Sequence, residues 1–210
     1  MDAGAVGSLV VDYPLRLWSP GETRVLNTVN FLMDYCRVGG GFFQDMTHSG
    51  INAYLTLHLA QVLLRAGQPR FEELVDTVAG LATTTGQWPE AIHPHTKGGC
   101  MGDGQHGWAA AEWALIIQAL FVRQEGDGLV VGSGLLPRWL SSDAPLRFGP
   151  TPTPWGPVTV AIEGPAASRT LQVEGQWRDG APVVRAAVPG FEPFVVTPGA
   201  GPHVLRRTPP

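Results

Sequence analysis

Several absences bound what this chain can be. It has two cysteines, Cys36 and Cys100, in 210 residues, too few for the disulfide framework that holds small secreted domains together. It has no basic block: 14 Lys and Arg stand against 18 Asp and Glu, for a formal charge of -4. That excludes the electrostatic footprint of a nucleic-acid binder. No apolar run approaches the ~18 residues of a membrane-spanning helix, so no membrane partner is expected. The opening MDAGAVGSLVVDYPL carries Asp2 and no basic leader segment, which argues against a signal peptide. Reduced thiols and a cytoplasmic location are the expectation, unless an export signal lies upstream of Met1.

Glycine (27) and proline (19) are abundant instead, and their placement is uneven. Proline is sparse up to Arg123 and dense after Pro137, which marks a change of architecture. Five segments before that change read as helices: 3–18, 22–37, 52–66, 71–82 and 107–123. Leu26, Val29, Met33 and Cys36 recur at helical spacing, and Phe71, Leu74, Val75, Val78 and Leu81 form one stripe with Glu72, Glu73 and Asp76 outside it. The connections alternate in length. Those at 19–21 and 67–69 are short; those at 38–50 and 83–106 are long. Antiparallel helices alternate their ends, so both long loops emerge on one face, whereas helix–helix connections in a plain bundle run about 2–8 residues. The expected fold is therefore mainly α, a partial ring of antiparallel helical hairpins over residues 1–127. After Gly126 the pattern turns to short period-two runs around Val130, Val160, Val173, Val184 and Val195, separated by Gly and Pro. They predict a β accessory domain over 128–210, a small antiparallel sandwich, with a stiff linker or edge segment at 148–157.

Chemistry concentrates in the second long loop, TGQWPEAIHPHTKGGCMGDGQHGWAAAEW. Glu90 follows Trp88-Pro89 and is flanked by indole and imidazole, surroundings that suit a general base taking a proton from water. A solvated or helix-capping glutamate is the plainer alternative. His93, His95, Cys100, Asp103 and His106 do not have the spacing of a zinc site, so neither a metal nor any other cofactor is expected. Hydrogen bonding to a polyhydroxyl ligand or bracing of the loop fits them better. Trp88 and Trp108 offer flat faces for sugar rings, or core packing. Asp45 and His48, in the companion loop, are candidate ligand contacts, while Ser49 and Asn52 are candidate helix caps. Glu112, inside an apolar helix, needs a partner if it is buried.

Taken together, Trp88-Pro89-Glu90 in the long loop and His106-Gly107-Trp108 opening the last helix resemble the six-hairpin, (α/α)6-barrel glycosidases, the glucoamylase-like and α-L-rhamnosidase-like group. The resemblance spans roughly residues 2–139. It implies a glycoside hydrolase acting on an oligosaccharide or glycoconjugate, with Glu90 the general base activating water. Trp88, His93, Asp103, His106, Trp108, Asp45 and His48 would line the sugar site. Two departures stand out. Five helices match only the second half of a twelve-helix barrel, so the chain would be a C-terminal portion. The loop that carries the general acid in these families would precede Met1, and Asp45 is the one candidate here for a second carboxyl group. The open edge would pair with that missing segment or with a second copy. A non-catalytic carbohydrate-binding or assembly module that keeps the sugar-facing loops is the rival reading, and a helical scaffold with merely bracing loops is a third.

Overall fold

The computed structural model describes residues 2–46, 48–102, 104–197 and 199–209, apart from the side chain of Asp2. It combines helices with three open β-sheets and divides into two compact units, residues 1–116 and 117–210.

In the first unit, α1 (Asp2–Ser8) passes into a 3-10 turn at Leu9–Val11. The sequence predicts a helix to residue 18, but the chain leaves helical geometry earlier and Arg16 is left-handed at φ 52°. This segment is tied down instead by an ion pair. Arg65 Nη1 lies 2.8 Å from Asp12 Oδ1, with both side chains almost fully buried, and also donates to the Asp12 carbonyl at 2.6 Å. Next come α2 (Thr23–Tyr35), β1 (Arg37–Val38), β2 (Gly41–Gln44), β3 (Gly50–Ile51) and α3 (Ala53–Arg65). Asn52 caps α3, its side chain accepting from the Leu55 amide at 3.1 Å, so one of the four orphan donors of the first turn is satisfied. Ser49 does not cap; its hydroxyl donates to the Asp45 carbonyl at 2.7 Å. In α4 (Phe71–Gly80) the apolar stripe is buried as its spacing predicts, at Phe71, Leu74, Val75 and Val78. The unit continues through β4 (Ala91–Ile92) and β5 (Gly99–Met101) into α5 (Gly107–Phe121), whose last residues belong to the second unit.

The two long loops share one end of the unit, as the alternation of connections predicts. They also pair, which no period-two run announces. Their short strands form one five-stranded antiparallel sheet in chain order, β1 to β5, in which Phe43 faces Ile51 and Ile51 faces Ile92. Ile51, Ala91 and Ile92 are fully buried, so this sheet anchors both loops to the helices by apolar burial as well as by its ladder.

The second unit opens with β6 (Val122–Glu125) and β7 (Gly128–Val131), followed by the short α6 (Pro137–Leu140). It continues with β8 (Leu146–Thr151), β9 (Val158–Glu163), β10 (Thr170–Gly175), β11 (Val183–Ala186), β12 (Phe194–Val196) and β13 (His203–Val204). They make two four-stranded sheets, ordered β13-β10-β9-β8 and β12-β11-β7-β6. The proline-rich stretch after Phe148 enters as edge strand β8, whose register slips between Phe148 and Thr151, consistent with proline's lack of an amide donor. One expectation is corrected: the strands are not all antiparallel, since β7 and β11 run parallel with Leu129 opposite Val184. Arg169, fully buried, links this unit's loops by donating to the Ala144 carbonyl at 3.1 Å. No helix among the described residues is long and apolar enough to cross a membrane.

Candidate functional site

The first unit carries a cluster of acid, imidazole and aromatic groups where the loop sheet meets the starts of α3 and α5. Glu90 stands just before β4, its side chain about a quarter exposed, and accepts a short hydrogen bond from His48 Nδ1 at 2.5 Å on Oε1. Its second oxygen has no hydrogen-bond partner among the described residues. His48 holds a left-handed backbone conformation at φ 64°, one that histidine adopts more readily than most side chains. Gly102, at φ 80° just after β5, brings its own backbone close to the acid: a Cβ there would lie 3.3 Å from the Glu90 amide nitrogen.

Beside Glu90 is Tyr54, on the first turn of α3. Burial raises the pKa of its phenol above the usual value and the charge of Glu90 raises it further, so Tyr54 is a neutral hydroxyl across the physiological range. Its ring lies 5.4 Å from that of Trp108 in an edge-to-face arrangement and 5.5 Å from that of His106, distances typical of favourable aromatic contacts. Trp108 is 65% exposed. His106 precedes α5, its amide donating to the Trp88 carbonyl at 2.8 Å, and its buried Nδ1 has no hydrogen-bond partner among the described residues.

One helical turn deeper is a second acid–imidazole pair. Glu112, with its side chain 12% exposed, lies 3.3 Å from His58 Nε2 and accepts the Tyr13 hydroxyl on both oxygens at 3.1 Å. Burial first, and the Glu112 charge second, push the Tyr13 phenol far above its ordinary range. The layers are joined by rings: Tyr54 and Tyr13 each meet the edge of His58, at 5.6 and 5.5 Å. The spacing that builds this is simple. Tyr54 and His58 stand four apart on α3, as do Trp108 and Glu112 on α5, so each pair shares a helix face. Every other residue of Ala53–Arg65 is buried. That helix therefore has one opening, and Tyr54 and His58 occupy it.

The candidates read from sequence fare differently. Glu90, His48, His106 and Trp108 come together. Asp45 is exposed at the end of β2. His93 braces its own loop, since its Nδ1 accepts from the amides of His95 and Thr96 at 3.2 Å. Trp88, open to either reading from sequence, lies in the core: it is 3% exposed, its ring packs 5.4 Å from that of Trp113, and its indole N–H is spent on the Val78 carbonyl at 2.8 Å. Asp103 lies outside the described residues. Tyr54, His58 and Tyr13 escaped the sequence reading, and the four-residue spacing of Tyr54 and His58 was their one local trace. Among the described residues no three His, Cys, Asp or Glu side chains gather closely enough to hold a metal ion. Compared with known proteins, the chain matches no family model, no curated protein and no solved structure.

Proposed function

We propose that the first unit forms part of a glycoside hydrolase site in which Glu90 is the general base. In this reading its helical hairpins are a section of an (α/α)6 toroid, and the second unit is an accessory β-sandwich. The observation that carries the proposal is the setting of Glu90: one carboxylate oxygen is held by His48, the other has no hydrogen-bond partner among the described residues, and an exposed indole stands close by across Tyr54. A base that activates water needs a fixed carboxylate with an oxygen left to accept the proton, and a sugar ring needs a flat apolar face with hydroxyl and imidazole groups at its rim. Trp108, Tyr54 and His106 supply that face and rim. Glu112 is a poor choice for either catalytic carboxylate, because Tyr13 and His58 already occupy its oxygens. The general acid would come from an element that faces Glu90 across the glycosidic bond.

The test is hydrolysis of a panel of aryl glycosides and oligosaccharides by the full chain in its native assembly, beside Glu90→Gln. Turnover lost in the variant, with folding intact, is the expected result. Equal turnover in both proteins overturns the assignment of Glu90. Sugar binding by calorimetry with no turnover in the unmodified protein assigns the same face to carbohydrate capture rather than cleavage.

A further inference from the structure

The second unit has a groove of its own, with a volume of about 470 Å³, lined by Gln172, Glu174 and Gly175 of β10, by Trp177 just beyond it, and by the loop Gly199 to Gly201. A volume of this size is within the range of small-molecule sites, which combine an apolar wall with a few fixed polar groups. We propose that this groove binds a neutral oligosaccharide, one pyranose ring lying against the Trp177 indole. The inference rests on these residues alone and stands independently of Glu90.

Three features support it. First, the indole is held in place. Its ring packs so closely on Gly175 that a Cβ there would fall 2.0 Å from Cζ2 and 2.2 Å from Cε2. The backbone on both sides of it is pinned as well: the Gln176 amide donates to the Pro157 carbonyl at 2.9 Å and the Arg178 amide to the Trp155 carbonyl at 3.0 Å. A pre-set aromatic wall binds without the ordering cost of a mobile one. Second, polar groups line one side of the groove. Gln172 and Glu174, two apart on one strand, share a face, and Gln172 Nε2 donates to Glu174 Oε1 at 2.9 Å while Arg147 Nη2 lies 3.5 Å from Glu174 Oε2. Such an array keeps an amide N–H, an amide oxygen and carboxylate lone pairs within reach of sugar hydroxyls, each of which donates and accepts. The exposed carboxylate disfavours an acidic sugar. Third, the far wall is nearly bare. Gly199, Ala200 and Gly201 carry no large side chain, and a Cβ built on either glycine meets nothing within 4 Å, so a flat ring has room to approach the backbone.

The experiment follows the tryptophan indole N–H signals by NMR while the full chain is titrated with maltotriose, cellotriose and mannotriose. Trp177→Ala identifies the Trp177 signal and Trp108→Ala the Trp108 signal. At least one trisaccharide is expected to shift the Trp177 signal saturably, with a Kd on the order of 1 mM. The shift persists in Trp108→Ala and in Glu90→Gln. Gln172→Ala, a side-chain truncation on the outer face of the strand, is expected to weaken binding roughly tenfold, which is about 1.4 kcal/mol. The Gln172→Ala result carries the test if Trp177→Ala does not fold. No shift of the Trp177 signal by any of the three sugars, or undiminished affinity in Gln172→Ala, overturns the proposal. Equal turnover in Glu90→Gln and the unmodified chain, which overturns the Glu90 reading, leaves these signals unmoved, so the two readings fail separately.

Discussion

The first unit holds the same chemical pair, a glutamate against a histidine, in two layers that treat it in opposite ways. In the upper layer, Glu90 and His48 stand on loops, part-exposed, joined by a single bond at 2.5 Å that leaves an acid oxygen without a hydrogen-bond partner among the described residues. In the lower layer, Glu112 and His58 stand on helices, and Tyr13 closes the pair from the other side. A carboxylate with spare lone pairs at the end of a helix layer can take up a proton from a ligand. One whose oxygens are already engaged, with only 12% of its side chain exposed, serves to satisfy itself and its neighbours. The difference teaches that the same residue types do chemistry or hold structure according to what remains unpaired.

That contrast is sharpest under substitution. Glu90→Gln keeps the size of the side chain and an oxygen to accept from His48, but replaces the other oxygen with an N–H donor and removes the charge and basicity. The expected loss of kcat is about 10²–10⁴-fold, with the thermal midpoint unchanged. Glu112→Ala is expected to do the reverse. It leaves the Tyr13 hydroxyl without its acceptor, at about 1–3 kcal/mol for a buried polar group left unsatisfied, read as a lower urea midpoint. Both effects landing on one variant would dissolve the distinction between the layers.

Tyr13→Phe probes the lower layer alone. It deletes one hydrogen bond to a carboxylate, worth about 1.5–3 kcal/mol, while leaving His58 against Glu112. It also changes the response to alkali. The folded pKa of Tyr13 is raised above the ~10 of an unfolded tyrosine, so the folded state holds the proton more tightly. This contribution to stability is complete below pH ~10 and is lost as pH rises from there toward the folded value. Tyr54 shifts in the same direction. Denaturant midpoints measured from pH 8 to 11 are expected to fall more steeply for the unmodified chain than for Tyr13→Phe. Parallel curves would show that the phenol is not held as described.

How much of this was legible in the residues follows from the range of the interactions involved. Helical periodicity is local, so α2, α3, α4 and α5 could be read from their apolar spacing, as could the shared end of the two long loops from simple alternation. The five-stranded loop sheet could not, because its members are two to four residues long and glycine-broken, and the pairing that joins the two loops sets Ile51 against the distant Ile92. The N-terminal helix was overread for the same reason: its end is set by Asp12 meeting Arg65, 53 residues away. At the site, Glu90 and His48 stood out through loop position and residue type. Tyr13, Tyr54 and His58 did not: beyond the four-residue spacing of Tyr54 and His58, they gain their meaning only when α3 and α5 are brought side by side.

The two tryptophans that flank the loop give the mildest test of the comparison, because sequence treated them alike. Trp88 fills the core with its N–H bonded to Val78, and Trp108 lies open beside Tyr54 and His106. Truncating an exposed side chain away from buried contacts changes stability by no more than about 0.5 kcal/mol, whereas emptying a buried indole site costs about 3–5 kcal/mol. Trp108→Ala is therefore expected to melt like the unmodified chain and yet bind oligosaccharide several-fold more weakly at the Glu90 face, read from calorimetric titration. Trp88→Ala is expected to lose stability first and binding only as a consequence. If Trp108→Ala binds undiminished while remaining folded, its indole is surface and no part of a sugar platform, and the upper layer then has to work through Glu90, His48 and Tyr54 alone.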